Sequence, residues 1–322
     1  MFRGVFKLIR STVLLALVSP ALLQAKCAAT IPDLTKVQTL TRQSHSTVLL
    51  RCYGYTAKEE APGFLIVRDG NAREFATDDR YKKTSAPHLS ADGAKLAYLG
   101  DLNSSHELVV LDLASGKTSV LQSREASFSI LRWAPDNSEI AISPEGTDRL
   151  EFVRVADGEV ARSVRLAGTG DFLVSPDLRH VIFLEATGSF SSKKDPRRMK
   201  VSIADIPFEG RHYLTDGNDA AWSPRGDKIA FFNALHSNCS ELATSGGKTK
   251  HLFGVRSKIV SSLIYSSSYR GPLVWSPDGH FLVFHESAGV KGGENRAYIY
   301  DLQNKETTKL VSAGPVSIED WK

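Results

Sequence analysis

The sequence predicts an all-β chain: a six-bladed β-propeller of four-stranded antiparallel blades, its ring closed by a strand from the C-terminal end. Three observations predict it. One short pattern recurs five times after residue 85, a second hairpin pattern follows each copy, and a truncated sixth copy stops at Trp321.

The recurring pattern is Leu89-Ser90-Ala91-Asp92-Gly93, Trp133-Ala134-Pro135-Asp136-Asn137, Val174-Ser175-Pro176-Asp177-Leu178, Trp222-Ser223-Pro224-Arg225-Gly226 and Trp275-Ser276-Pro277-Asp278-Gly279. The copies lie 41 to 53 residues apart. In each, an apolar strand ends at the tryptophan or its substitute, a turn reverses the chain, and a second apolar strand such as 228–232 returns. Proline fixes φ, aspartate accepts local backbone N–H groups, and glycine tolerates positive φ. A further hairpin completes each unit, as in 107–113 turning at 114–117 into 118–121, or 297–302 turning at 303–306 into 307–311. Four strands in a unit of this length make one propeller blade.

Residues 46–84 supply three strands of another blade but lack the tryptophan strand, and the segment 316–322 is an orphan copy of that strand. Pairing the two closes the ring and removes an exposed edge. The expected blades are therefore 46–84 with 316–322, then units starting near 86, 127, 169, 217 and 262. Residues 26–45 are read as a short, polar N-terminal extension, the only stretch from which a seventh blade could come.

These repeats resemble the PD40, WD40-like units of the TolB-like β-propeller family, with 275–284 and 222–232 the best matches to its Trp-Ser-Pro-Asp-Gly pattern. The resemblance covers nearly all of the chain after residue 45. It implies a propeller, with functions that range over periplasmic partners of the Tol-Pal system, gating domains of prolyl-oligopeptidase-type peptidases and polysaccharide lyases. The α/β domain that precedes the propeller in TolB has no counterpart in residues 26–45.

Residues 1–25 carry Arg3, Lys7 and Arg10, no acid, and then an apolar run ending in Ala25. That is the pattern of a cleavable signal peptide, too short and too interrupted by Pro20 for a membrane anchor. Lys26 before Cys27 argues against lipidation. Cleavage would leave 37 basic groups against 36 acidic ones, so the net charge of +4 belongs mostly to the leader. The expected location is periplasmic, with no integral span after cleavage. Of Cys27, Cys52 and Cys239, at most one pair can form; Cys27 with Cys52 is the preferred pair if any, and a buried free thiol at Cys52 is the other reading.

Binding is expected on the face that carries the connections between second and third strands and between blades, because these vary in length while the remaining turns are uniform. Two stretches stand out. The loop 188–200 concentrates Lys193, Lys194, Arg197, Arg198 and Lys200, suited to an anionic partner or to plain solvation. The stretch 257–270 places Tyr265 and Tyr269 among serines, suited to a contact surface or to packing between blades. No G-x-S-x-G elbow, phosphate loop or zincin motif is present, and no cofactor is expected. The reading is a non-enzymatic, monomeric interaction scaffold for an envelope protein or a cell-wall-associated ligand, with no nucleic-acid partner. The alternative is a polysaccharide-binding or metal-assisted lyase-type site in the central funnel, drawing on His88, His106, His180, His236, His280 and His285.

Overall fold

The computed structural model describes residues 31, 34–52, 63–78, 80–81, 83–166, 171–187, 198–207, 209–232, 238–254, 273–287, 295–311 and 316–322. Among them are one helix, α1 (Leu34–Ser44), and six four-stranded antiparallel sheets. Blade 1 contains β1 (Thr47–Cys52), β2 (Gly63–Arg68) and β3 (Asn71–Ala76). Blade 2 is β4 (Lys83–Leu89), β5 (Lys95–Asp101), β6 (His106–Asp112) and β7 (Thr118–Arg124); blade 3 is β8 (Phe128–Trp133), β9 (Glu139–Pro144), β10 (Arg149–Arg154) and β11 (Val160–Arg165). Blade 4 is β12 (Asp171–Val174), β13 (His180–Thr187), β14 (Arg198–Asp205) and β15 (Glu209–Asp216); blade 5 is β16 (Asn218–Trp222), β17 (Lys228–Phe232), β18 (Asn238–Ala243) and β19 (Lys250–Gly254). Blade 6 is β20 (Val274–Trp275), β21 (Phe281–Ser287), β22 (Asn295–Asp301) and β23 (Glu306–Val311). The last strand, β24 (Val316–Trp321), joins blade 1 in the order β24-β1-β2-β3, with Leu50 opposite Ile318. The ring therefore closes as the repeat pattern predicts, and residues 34–44 form a helix rather than strands of a seventh blade.

The repeated turn is a hydrogen-bond latch. In blade 2 the buried Ser90 hydroxyl accepts the Lys95 N–H at 2.8 Å and donates to Asp92 at 2.6 Å. Ser175 and Ser276 repeat this with Asp177 and Asp278. In blade 5 Arg225 stands where the acid would be, and Asp227, two residues on, takes the Ser223 hydroxyl at 2.9 Å. Blade 3 has Ala134 at the serine position; it keeps the backbone bond, Ala134 N–H to Glu139 O at 2.8 Å, and Asp136 takes the Ser138 N–H and hydroxyl instead. The blade 4 turn also holds Leu178, a buried non-glycine residue, at φ 58°. Replacing Ser175 with alanine should therefore cost about 1–2 kcal/mol, because the His180 N–H loses a buried acceptor in an already strained turn. Urea unfolding of Ser175→Ala checks this, and wild-type stability would show that the latch is redundant.

Tryptophans staple neighbouring blades. Trp133 Nε1 donates to the His88 carbonyl at 2.9 Å, Trp222 Nε1 to the Leu173 carbonyl at 2.9 Å, and Trp275 Nε1 to the Ala221 carbonyl at 3.3 Å. Each bond runs back to the preceding blade. Trp321 departs from the pattern: its Nε1 donates to the Ser46 hydroxyl at 2.7 Å.

That departure reflects the seam. Where other blades have a latch turn, blade 1 has two separate segments held by Thr47 N–H to Lys322 O at 2.5 Å and Lys322 N–H to Thr47 O at 2.9 Å. Helix α1 leads into this junction. Val37 is fully buried with Val48, Leu50 and Val67 of blade 1 and Val283 and Ile299 of blade 6. The buried Thr41 hydroxyl accepts the Gly70 N–H at 3.1 Å, and Lys36 Nζ donates to the Lys309 carbonyl at 3.1 Å.

Candidate functional site

The innermost strands of the six blades stand side by side around the ring axis and enclose a cavity of about 540 Å³. Among the described residues, its lining lies beside the uniform latch turns. Its rim is the residue after the latch position in each blade: Ala91, Pro135, Pro176, Pro224 and Pro277, with Lys322 completing the circle at the seam. Proline's fixed φ makes that rim stiff.

Strand alternation sets the lining. In every inner strand the residue just before the tryptophan position borders the cavity: Asp320, His88 and Arg132 in blades 1, 2 and 3, and Leu173, Ala221 and Val274 in blades 4, 5 and 6. One wall is polar and the opposite wall apolar.

The polar wall is tightly connected. Asp320 Oδ2 accepts the Leu89 N–H at 3.0 Å, Oδ1 accepts the Trp321 N–H at 2.8 Å, and Lys322 Nζ lies 3.4 Å from Oδ1. Burial alone would raise the Asp320 pKa, but Lys322, His88, Arg132 and the backbone donor outweigh it and hold the carboxyl below the usual range. His88 Nδ1 sits 3.9 Å from Asp320 Oδ2. Desolvation, reinforced by the Lys322 and Arg132 charges against the pull of Asp320, brings the imidazole down to about 4. A third of that side chain, 32%, still reaches the channel solvent, which screens part of the effect. Desolvation likewise lowers Arg132 and Lys322. Among the described residues Arg132 has no ion-pair partner, and its buried Nε has no acceptor.

The sign of the pH dependence follows. As pH falls from 6.5 towards 4, unfolded His88 takes up a proton that folded His88 refuses, so stability falls; Asp320 adds stability above its unfolded pKa that is lost in stronger acid. His88→Gln should recover about 1–2 kcal/mol at pH 5 and nothing at pH 7.5. Denaturant curves at both values test it, and parallel losses in the two proteins would discard the assignment.

Sequence reasoning looked to the opposite face. Lys193, Lys194, Arg197, Tyr265 and Tyr269 lie outside the described residues. Arg198 opens β14 opposite Thr187, and Lys200, exposed, stands in register with Glu185 on β13 and Asp216 on β15. Of the described histidines, only His88 borders the cavity. His106 and His180 pair with Asp101 at 2.7 Å and Asp205 at 2.8 Å, His280 lies 3.7 Å from Asp278, and His285 Nε2 accepts the Ile318 N–H at 2.9 Å beside the seam. His236 lies outside the described residues. Among those described, no three His, Cys, Asp or Glu side chains gather to hold a metal ion, and no helix is long and apolar enough to cross a membrane. Cys239 is a buried free thiol whose pKa is pushed up by burial, while Cys27, the preferred partner of Cys52, lies outside the described residues.

No protein-family model and no curated protein matches the sequence. Among solved structures the chain is similar to TolB from Acinetobacter baumannii, with a TM-score of 0.60 and 18% identity over 94% of this chain and 70% of that one. The fold is that of a TolB-like propeller. The propeller is also similar to a chain in a nidogen/laminin complex, with a TM-score of 0.58 and 12% identity over 85% of this chain and 97% of that one. A puromycin-hydrolysing peptidase of Mycobacterium tuberculosis shares the fold at a TM-score of 0.53 and 13% identity, over 85% of this chain and 47% of the peptidase. At these identities the likeness is one of fold.

Proposed function

We propose that the protein is a non-enzymatic interaction scaffold of the cell envelope, delivered to the periplasm by a signal peptide at residues 1–25 and binding an envelope protein or a cell-wall-associated ligand on its variable-loop face. The observation that carries this reading is the asymmetry of the ring. The latch turns are near copies of one another, whereas the connections between second and third strands range from 102–105 and 145–148 to 188–197 and 288–294. A stiff ring that repeats one face and diversifies the other is suited to presenting loops to a macromolecule. The TolB-like fold supports the same reading.

In this proposal Lys193, Lys194, Arg197, Arg198 and Lys200 contact an anionic surface of the partner, and Tyr265 and Tyr269 add apolar contacts. The test is capture from cross-linked envelopes, with captured proteins identified by mass. Replacing Lys193, Lys194, Arg197 and Arg198 together with serine should remove one reproducible partner while the melting curve stays unchanged. An unchanged set of partners would sink the loop assignment. Amino-terminal sequencing of protein from the periplasmic fraction should begin at Lys26; a start at Met1 would sink the export assignment.

A further inference from the structure

The divided cavity has chemistry that the loop-face reading does not use. Arg132 is a guanidinium facing a confined space, with a buried Nε that finds no acceptor. Leaving a charge in such a place is costly unless an opposite charge meets it. Asp320 attracts Arg132 but forms no ion pair or hydrogen bond with it, because two backbone N–H groups and Lys322 already hold its oxygens. Of the other charged groups at the opening, Asp177 accepts the Ser175 hydroxyl, Glu319 accepts the Ser317 hydroxyl, and Arg225 lies 3.3 Å from Asp227. The polar wall thus has one guanidinium without an ion-pair partner among the described residues, and the facing wall carries Leu173, Ala221 and Val274.

We propose that this cavity binds a small organic carboxylate carrying an apolar group, the carboxylate on Arg132 beside Lys322 and His88, and the apolar group against Leu173, Ala221 and Val274. A guanidinium fork matches a carboxylate in bidentate geometry. A monocarboxylate meets less repulsion from Asp320 and Glu319 at the same wall than a phosphate dianion would. About 540 Å³ is the size of a small-molecule site. His88, uncharged near neutral pH, adds no further cation to the wall.

The experiment is calorimetric titration of the full chain with 4-phenylbutyrate and, in parallel, with its neutral amide. Saturable binding of the acid is expected, with the amide weaker by about tenfold or more. Acetyl-Leu-Phe with a free carboxylate, against the same dipeptide amidated, forms a second arm: binding of the free acid alone points to a small metabolite-like ligand, and binding of the peptide acid points to a chain terminus. Arg132→Gln should lose binding about tenfold or more while melting no lower than wild type, because it removes a desolvated charge that has no ion-pair partner. Arg132→Lys keeps the charge without the fork and should fall between the two, which keeps the idea testable if the glutamine variant misfolds. Equal binding of acid and amide, wild-type affinity in Arg132→Gln, or no saturable heat with either acid would overturn the proposal. It is independent of the envelope-scaffold reading: loss of captured partners in the loop variant leaves it untouched, and its own failure leaves the loops untouched.

Discussion

Replacing Trp321 with alanine is expected to lower the free energy of unfolding by about 3–5 kcal/mol, the usual cost of deleting a large buried aromatic side chain. Trp321 is 2% exposed, its ring stacks near Phe281 of blade 6 with centroids 6.3 Å apart, and its Nε1 holds Ser46 at the end of the helix lead-in. It therefore joins three pieces of chain that no covalent turn connects. Trp321→Phe keeps most of the apolar surface and loses the Ser46 bond, so an intermediate loss of about 1–2 kcal/mol is expected. Denaturant unfolding of both variants against Trp222→Ala, whose tryptophan sits within a continuous blade, measures the seam. If Trp321→Ala unfolds like wild type, the ring is held closed by strand pairing alone.

A carboxylate at position 37 should have an effect of similar size and a different signature. Val37 is fully buried between blades 1 and 6, and an unpaired charge there costs about 3 kcal/mol or more. Helix α1 rests on few buried groups, so the expected response of Val37→Asp is undocking of the helix rather than collapse of the ring. Hydrogen exchange distinguishes the two outcomes. The Gly70 amide, whose acceptor is the Thr41 hydroxyl, should exchange much faster, while amides between β13 and β14 keep their protection. Unchanged exchange at Gly70 would mean that the helix tolerates the charge and does not depend on Val37.

The ring was legible because its punctuation is chemical. Each Ser-Pro-Asp-Gly-like turn uses side chains that only that turn needs, so the pattern survives even where Leu89 or Val174 replaces tryptophan, and Trp321 could be recognised as a strand without a turn. Helix α1 was not legible. Only Leu34, Val37 and Leu40 are apolar in its eleven residues, and part of its docking is done by the Thr41 and Ser46 hydroxyls, which look like loop residues in a sequence. The central funnel and His88 were legible as an alternative site, but the rest of its lining was not. The turns themselves are uniform, and the differences between blades lie one residue before the tryptophan position, at Asp320, His88, Arg132, Leu173, Ala221 and Val274. Aligning the repeats on the tryptophan and reading the preceding column would have exposed both walls. Residues far apart in the chain cannot otherwise be assigned to one channel, since only ring closure puts Asp320 beside His88.

The way the ring closes also constrains when it can fold. The pairing of Leu50 with Ile318 spans almost the whole chain, so the last blade to finish is the first to be synthesised. Until residues 316–322 are in place, β1 has an open edge and the pocket for Trp321 is empty. Blades 2 to 5 can form from local contacts, but the final locking step carries the highest contact order in the molecule and should set the slow phase of folding. During that interval the unpaired β1 edge is the part of the chain most exposed to wrong partners, which makes completion of the seam, rather than formation of any single blade, the point at which the protein becomes safe from aggregation.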